Sequence, residues 1–322
     1  MAGRSVDEVR DGVELTNLDA PLFDDAGGVT KRELVDHLDA FADRILPGLA
    51  DRPLSVVRAR PGQAPFMQKN LPRGAPDRIP TLPVWAASSQ RTVHYPLCPD
   101  RRTLLWFGNQ RAIELHPTLL PHDATTTGEL VIDLDPPDDG GFAQVVAAAQ
   151  LVRTALDAVG MDAAVKTSGA KGLHLVVPLS EPLAIDDAFA ATRALAARAE
   201  ALGPDTATTA FIRADRGGRV FLDPTRAGGA TLVAAYSPRA RPGLPVSFPV
   251  AWDDLEHVTP ADFTVRTAAG LLGGTDPWRD LRPAPAPLPA DVVEEGHRIP
   301  VPRVQAMHEG KRRKRARERG ES

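Results

Sequence analysis

The sequence has a single cysteine, Cys98, which excludes an internal disulfide and any multi-cysteine zinc site. It has no run of eighteen apolar residues, so no membrane span is expected. The opening MAGRSVDEVRDG has neither an apolar signal core nor a small-residue cleavage site; secretion is not expected, and a reducing cytoplasm is. With 43% hydrophobic and 25% charged residues, the 322-residue chain has the balance of an ordinary globular protein. That length allows one large domain or two medium ones.

Charge is close to balanced but unevenly placed. The net charge is −4, but residues 310–322 carry seven basic side chains, beginning at Lys311, and two acidic ones, Glu318 and Glu321. Without that +5, residues 1–309 hold −9. An acidic body does not hold nucleic acid by bulk charge, so DNA binding would need a local patch together with the tail. The tail itself reads either as a DNA-binding arm or as a solvated end.

What the sequence does contain is ordered. Thr30 and Glu33 make a capping box, with Leu34, Leu38, Phe41 and Ile45 following on one helical face. A second helix carries Val145, Ala148, Val152, Leu156 and Val159, with Gly160 as its stop. A third starts near Asp186 and buries Ala188, Ala191, Leu195, Ala199 and Leu202. Short apolar runs at Leu130–Leu134, Ala163–Val165, Leu173–Val177, Val220–Leu222 and Thr231–Ala235 read as strands. From residue 130 the order is strand, helix, strand, loop, strand, helix and two more strands. That pattern predicts an α+β architecture, a split β-α-β sheet with helices on one face. Residues 1–125 are less regular and read as an N-terminal subdomain, residues 126–272 as the sheet. The Pro-rich segment from Asp276 to Arg303 lacks apolar periodicity and reads as an extended wrap or linker, within a terminal stretch of residues 273–322.

Three motifs carry the chemistry. In Leu130-Val131-Ile132-Asp133-Leu134-Asp135-Pro136, strand alternation puts Asp133 and Asp135 on one face. Two neighbouring carboxylates repel unless a cation lies between them, and hard oxygen donors suit Mg²⁺ or Mn²⁺ holding a phosphate. The same Asp-x-Asp also occurs in nucleotide-sugar transferases and in surface turns. Lys166-Thr167-Ser168-Gly169-Ala170-Lys171-Gly172-Leu173-His174 makes a tight loop able to aim N–H groups and an ammonium at phosphate. It is not a P-loop, because the spacing differs and no helix follows. Within it, His174 reads either as a phosphate donor or as a strand histidine bonded in place. A third carboxylate, Asp223, closes Arg219-Val220-Phe221-Leu222, and Tyr236-Ser237-Pro238-Arg239-Ala240-Arg241 supplies guanidinium groups suited to polyphosphate.

Taken in this order, the motifs resemble the polymerase domain of bacterial ATP-dependent ligase D, a branch of the archaeo-eukaryotic primase superfamily that works in nonhomologous end joining. The likeness runs over about residues 12–270. It rests on Val13-Glu14-Leu15-Thr16-Asn17, Val29-Thr30-Lys31, Phe66-Met67-Gln68-Lys69 and Ile113-Glu114-Leu115-His116-Pro117. It continues through Asp133 and Asp135, Thr167 to Leu179, Asp223, and Tyr236 to Gly243. The resemblance implies a primase-like catalytic domain with a mixed or antiparallel sheet flanked by helices, plus an N-terminal α/β subdomain. It implies a metal-dependent nucleotidyltransferase that adds ribo- or deoxyribonucleotides to DNA ends, gaps or overhangs. Asp133, Asp135 and Asp223 would hold two divalent cations, Mn²⁺ or Mg²⁺. Ser168, Lys171, His174 and Arg239 would bind the nucleoside triphosphate, with His116 near its sugar. Lys31 and Lys69 would contact DNA, and Phe66 would stack near the template base. The partners implied are DNA, nucleoside triphosphates, Ku and a separate DNA ligase, since the sequence shows no ligase domain.

The chain departs from the family's pattern twice. Where the family usually has a lysine that grips a 5′-phosphate, Asp19-Ala20-Pro21 stands here. After Asp223 the family tends to have a bulky residue, then Gln or Arg, then Asn; here Pro224-Thr225-Arg226-Ala227 follows, one residue shorter before Ala230. Two other readings stay open: a catalytically weak DNA end-binding module that assists a ligase, and a sugar-nucleotide transferase. The latter needs a doubly wound parallel sheet, which the order of elements does not supply.

Overall fold

Thr30 opens the first helix as its spacing to Glu33 predicts: its side chain accepts the Glu33 N–H, and the Glu33 carboxylate accepts the Thr30 N–H at 2.8 Å. The computed structural model describes residues 5–23, 28–60, 62–86, 90–226 and 230–301. The chain gathers into two compact units, one of residues 1–124, 166–170 and 228–282, the other of residues 125–165, 171–227 and 283–322. No described helix is long and apolar enough to cross a membrane. The basic tail lies outside the described residues.

In the first unit, β1 (Glu8–Arg10) and β2 (Val13–Leu15) form an antiparallel hairpin ahead of α1 (Lys31–Ala40) and α2 (Ala42–Leu49). The predicted apolar face is buried throughout, with Leu34, Leu38, Phe41 and Ile45 at most 1% exposed. One continuous helix was not formed, however; Phe41 ends α1 and begins α2. An antiparallel sheet in the order β4–β3–β7 combines β3 (Leu54–Arg60), β4 (Gln63–Gln68) and β7 (Ala112–Pro117). Between them in sequence come a hairpin of β5 (Thr81–Ala86) and β6 (Arg91–Pro96), and α3 (Arg101–Asn109).

The second unit is built on β8 (Thr126–Asp135), the central carrier of the acidic motif. After it come α4 (Phe142–Asp157), β9 (Ala164–Thr167, its last two residues assigned to the first unit), β10 (Leu173–Ala184), α5 (Ile185–Leu202), β11 (Ala207–Thr208) and β12 (Val220–Asp223). Strand order is β11–β12–β8–β10–β9; β8 runs antiparallel to both neighbours, while β11 and β12 are parallel. The sheet is mixed, and the α+β class holds. α4 ends as its glycine predicts: Gly160 has φ +69, and the Met161 N–H bonds back to the Leu156 carbonyl at 3.0 Å. In α5, Ala188, Ala191, Leu195 and Ala199 are buried, but Leu202 is 53% exposed. The buried stripe stops a turn early because Gly203 ends the helix against α4, where an added Cβ would sit 2.4 Å from the Leu151 side chain.

Two sequence expectations need correction. Thr231–Ala235 is not a strand; only Thr231 makes a bridge, to Thr118. Its backbone follows β7 through Leu232 N–H to Pro117 O and Ala234 N–H to Leu115 O. A regular ladder fails because side chains take its partners: Ser237 Oγ accepts the Leu115 N–H, and Lys166 Nζ donates to Val233 O. Nor is the Pro-rich stretch simply extended. After β13 (Pro249–Val250) and α6 (Ala268–Leu271) come α7 (Pro277–Asp280) and α8 (Ala290–Arg298). α8 packs on α5 through Val292 and Gly296, the two residues it buries; an i, i+4 pair is too short to show periodicity.

Candidate active site

Three residues line up across the second unit's sheet. Asp133 on β8 stands opposite His174 on β10 and opposite Asp223 on β12. All three are buried, between 3% and 6% exposed. His174 Nε2 lies 3.3 Å from Asp133 Oδ1. Asp223 is held by the turn that follows it, where its Oδ1 accepts the Thr225 N–H at 2.9 Å and the Thr225 hydroxyl at 2.6 Å. Asp135 follows two residues on, as alternation requires.

Arg226 bridges two carboxylates of the acidic cluster, and Arg216 acts on Asp135 and Asp223 at longer range. Arg226 Nη2 lies 3.0 Å from Asp133 Oδ2, and its Nε lies 3.2 Å from Asp223 Oδ2. Burial works against the Arg226 charge, but the three carboxylates outweigh it and raise its pKa. Even so, negative charge is in excess. Burial, then the charge of Asp133, with a contribution from Asp223, pushes the Asp135 carboxyl up to about 6. In the sequence Arg226 is only a departure from the family's pattern; its place beside the carboxylates comes from the turn and has no periodic signal.

At the loop before β10, Gly172 is a packing requirement, since an added Cβ would lie 2.1 Å from the Leu134 carbonyl oxygen. Lys171 is exposed, and its ammonium donates to the Asp138 carbonyl.

In the first unit, a different carboxylate does the gathering. Glu114 Oε2 is 2.6 Å from His116 Nε2 and 3.0 Å from Arg239 Nε, while its Oε1 accepts the Ala240 N–H at 2.9 Å. Burial opposes the Glu114 charge, but the His116 hydrogen bond, Arg239 and Ala240 prevail and hold its carboxyl down at about 2. Arg239 Nη1 donates to the Ser168 carbonyl at 2.6 Å. Gly169 has φ +66, and an added Cβ would lie 2.7 Å from Arg239 Cγ, so only glycine lets this loop pass the arginine. His116, Ser168 and Arg239 are therefore brought together through Glu114. Its signal in the sequence is the Glu114-Leu115-His116 alternation on β7.

The expected DNA contacts divide. Lys69 is exposed just beyond β4, and Phe66 on β4 is half-buried with the Arg60 guanidinium 5.0 Å from its ring centre. Lys31 is instead 3% exposed, and its ammonium donates to the Thr16 carbonyl. That bond ties the N-terminal segment to the start of α1.

Residues 30–278 match the family model described as LigD, primase-polymerase domain. The chain belongs to this family. Among curated relatives, the bifunctional non-homologous end joining protein LigD of Bacillus subtilis is 32% identical over 79% of this chain. The multifunctional LigD of Mycolicibacterium smegmatis is 32% identical over 87% of it. These alignments span 41% and 36% of the relatives' own lengths, so the chain corresponds to a part of each. In structure, the polymerase domain of Mycobacterium tuberculosis ligase D, solved in complex with DNA, matches with a TM-score of 0.74 and 30% identity. That match covers 84% of this chain and 99% of the other. In this LigD primase-polymerase domain, the family match ends at Trp278, so α8 lies beyond it.

Proposed function

We propose that this chain is a metal-dependent nucleotidyltransferase that adds nucleotides to DNA ends or gaps during nonhomologous end joining. The observation that carries the reading is Asp133 in register with both Asp223 and His174, with Asp135 two residues on. Asp133, Asp135 and Asp223 would hold two divalent cations, Mg²⁺ or Mn²⁺. The donor chemistry fits, being three carboxylates of hard oxygen, two of them buried side by side in register. Among the described residues no three His, Cys, Asp or Glu side chains already surround one point. Arg226 sits on Asp133 and Asp223, so bound ions would compete with its guanidinium for these carboxylates. Bound ions would stabilise charge on the attacking 3′-oxygen and the departing pyrophosphate. Within the chain, His174 orients Asp133, Thr225 fixes Asp223, and Glu114 sets Arg239 and His116. Ser168, Lys171, His174 and Arg239 would take the triphosphate, His116 the sugar, and Lys31, Lys69 and Phe66 the DNA, with Ku and a DNA ligase as partners.

A second reading is a DNA end-binding module with little catalysis, and Arg226 seated on two of the three carboxylates is the observation that favours it. Primer extension on gapped and overhanging duplexes, with ribo- and deoxyribonucleotides in Mg²⁺ and in Mn²⁺, separates the two. The enzyme reading expects extension that Asp135→Ala abolishes without lowering the melting temperature. Duplex binding with no extension under any of these conditions would leave the module.

A further inference from the structure

α8 lies outside the matched family domain, yet it completes a cavity of about 380 Å³ in the second unit. One wall is α5, with Phe189 and Arg193 one helical turn apart. A second is the end of α8 and the residues after it, with His297 and Val301. The third is the turn Pro224-Thr225, immediately after Asp223. The volume lies in the range of sites for small organic ligands, roughly 300–1,000 Å³.

The polar content of this cavity is incomplete. Arg193 is 9% exposed, donates through Nη2 to the Gly296 carbonyl at 3.0 Å, and leaves its buried Nε–H without a partner. Among the described residues no carboxylate forms an ion pair with it; Asp186, also on the wall, acts on it only at longer range. His297 is engaged with Asp187 at 2.7 Å and stands at the exposed rim. A buried guanidinium with unused donors is costly unless an anion completes its shell. Its planar fork matches phosphate, and an aromatic ring one turn away offers a face for a base.

We propose that the cavity formed by α5, α8 and the Pro224-Thr225 turn binds a phosphate-bearing nucleotide, with the phosphate on Arg193 and the base against Phe189. This site is separate from the carboxylate cluster, and it stands or falls independently of nucleotide addition. Its back wall is nonetheless the turn whose Thr225 holds Asp223 by two hydrogen bonds, so an occupant would bear on that anchor. The nucleotide has two sources, a free mononucleotide or the phosphorylated end of a DNA strand.

The test is calorimetric titration of the full chain in chelator, without divalent ions. The probes are deoxyadenosine monophosphate and a short single strand with and without a 5′-phosphate. Wild type and Asp135→Ala should bind the monophosphate alike, which sets this site apart from the carboxylates. Arg193→Gln should weaken binding at least tenfold and Phe189→Ala several-fold. Because Arg193 also holds α8, Val301→Trp serves as a second variant that fills the cavity from its exposed rim. It should abolish binding with the melting temperature unchanged. Tighter binding of the phosphorylated strand, lost in the same variants, would identify a strand end as the occupant; equal binding of the mononucleotide would identify the free form. No binding of any probe to wild type, or binding undiminished in both Arg193→Gln and Val301→Trp, overturns the proposal.

Discussion

Glu114 is one carboxylate with three charged or polar clients, and its removal has a separable signature. Glu114→Gln keeps the shape but gives up the charge that holds Arg239 and His116. Charge-assisted hydrogen bonds are worth about 1.5–3 kcal/mol, so the KM for nucleotide should rise about tenfold or more while the Kd for duplex DNA holds steady. Steady-state kinetics and a DNA titration check both halves. The same group sets an acid dependence. Its folded pKa, about 2, lies below its unfolded value of 4.5, so its stabilisation is complete above pH 4.5 and fades as pH falls toward 2. The stability difference between wild type and Glu114→Gln, measured by urea unfolding, should be level near neutrality and shrink over that window. Arg226 makes the complementary case. Arg226→Ala leaves Asp133 and Asp223 facing each other, which should cost about 1–3 kcal/mol in chelator. Added Mn²⁺ should then raise the melting temperature more in the variant than in wild type; an equal rise in both would show that the guanidinium and the ions do not compete. The acidic pair on β8 was legible because strand alternation is a local rule. The Glu114–Arg239 pairing was not, since it joins residues far apart in sequence.

At the scale of elements, β8 does the positioning, with antiparallel neighbours on both sides fixing Asp133 between His174 and Asp223. The long helices α4 and α5 and the capped start of α1 could be read directly, because repeated apolar spacing and a capping box both lie within a few turns. α8 could not, since its docking depends on one valine and one missing side chain. At Gly296 an added Cβ would fall 1.8 Å from the Ala190 carbonyl oxygen on α5, a contact between backbones that cannot yield without moving the helix. Gly296→Ala should therefore lower stability by about 1–3 kcal/mol through overpacking. Hydrogen exchange should show the loss concentrated in α8 and the adjoining face of α5. A thermal melt matching wild type, with unchanged exchange in α8, would contradict this packing.

For the whole molecule, charge and connectivity matter most. The acidic body and the basic residues from Lys311 onward predict that deleting residues 310–322 flattens the salt dependence of DNA affinity, because fewer phosphates are neutralised. Binding of matched linear and circular DNA across a salt series measures it, and an unchanged slope would leave the tail as a solvated end. Connectivity sets a different constraint. The chain passes between the two units at residues 124/125, 165/166, 170/171, 227/228 and 282/283, and the third segment of this path is only Lys166–Ala170. Neither unit is therefore a module that a single recombination event could lift out. A gene split after residue 165 gives two polypeptides that each hold pieces of both units. Each should be unstructured by circular dichroism when made alone, and folding should return only when the fragments are made together.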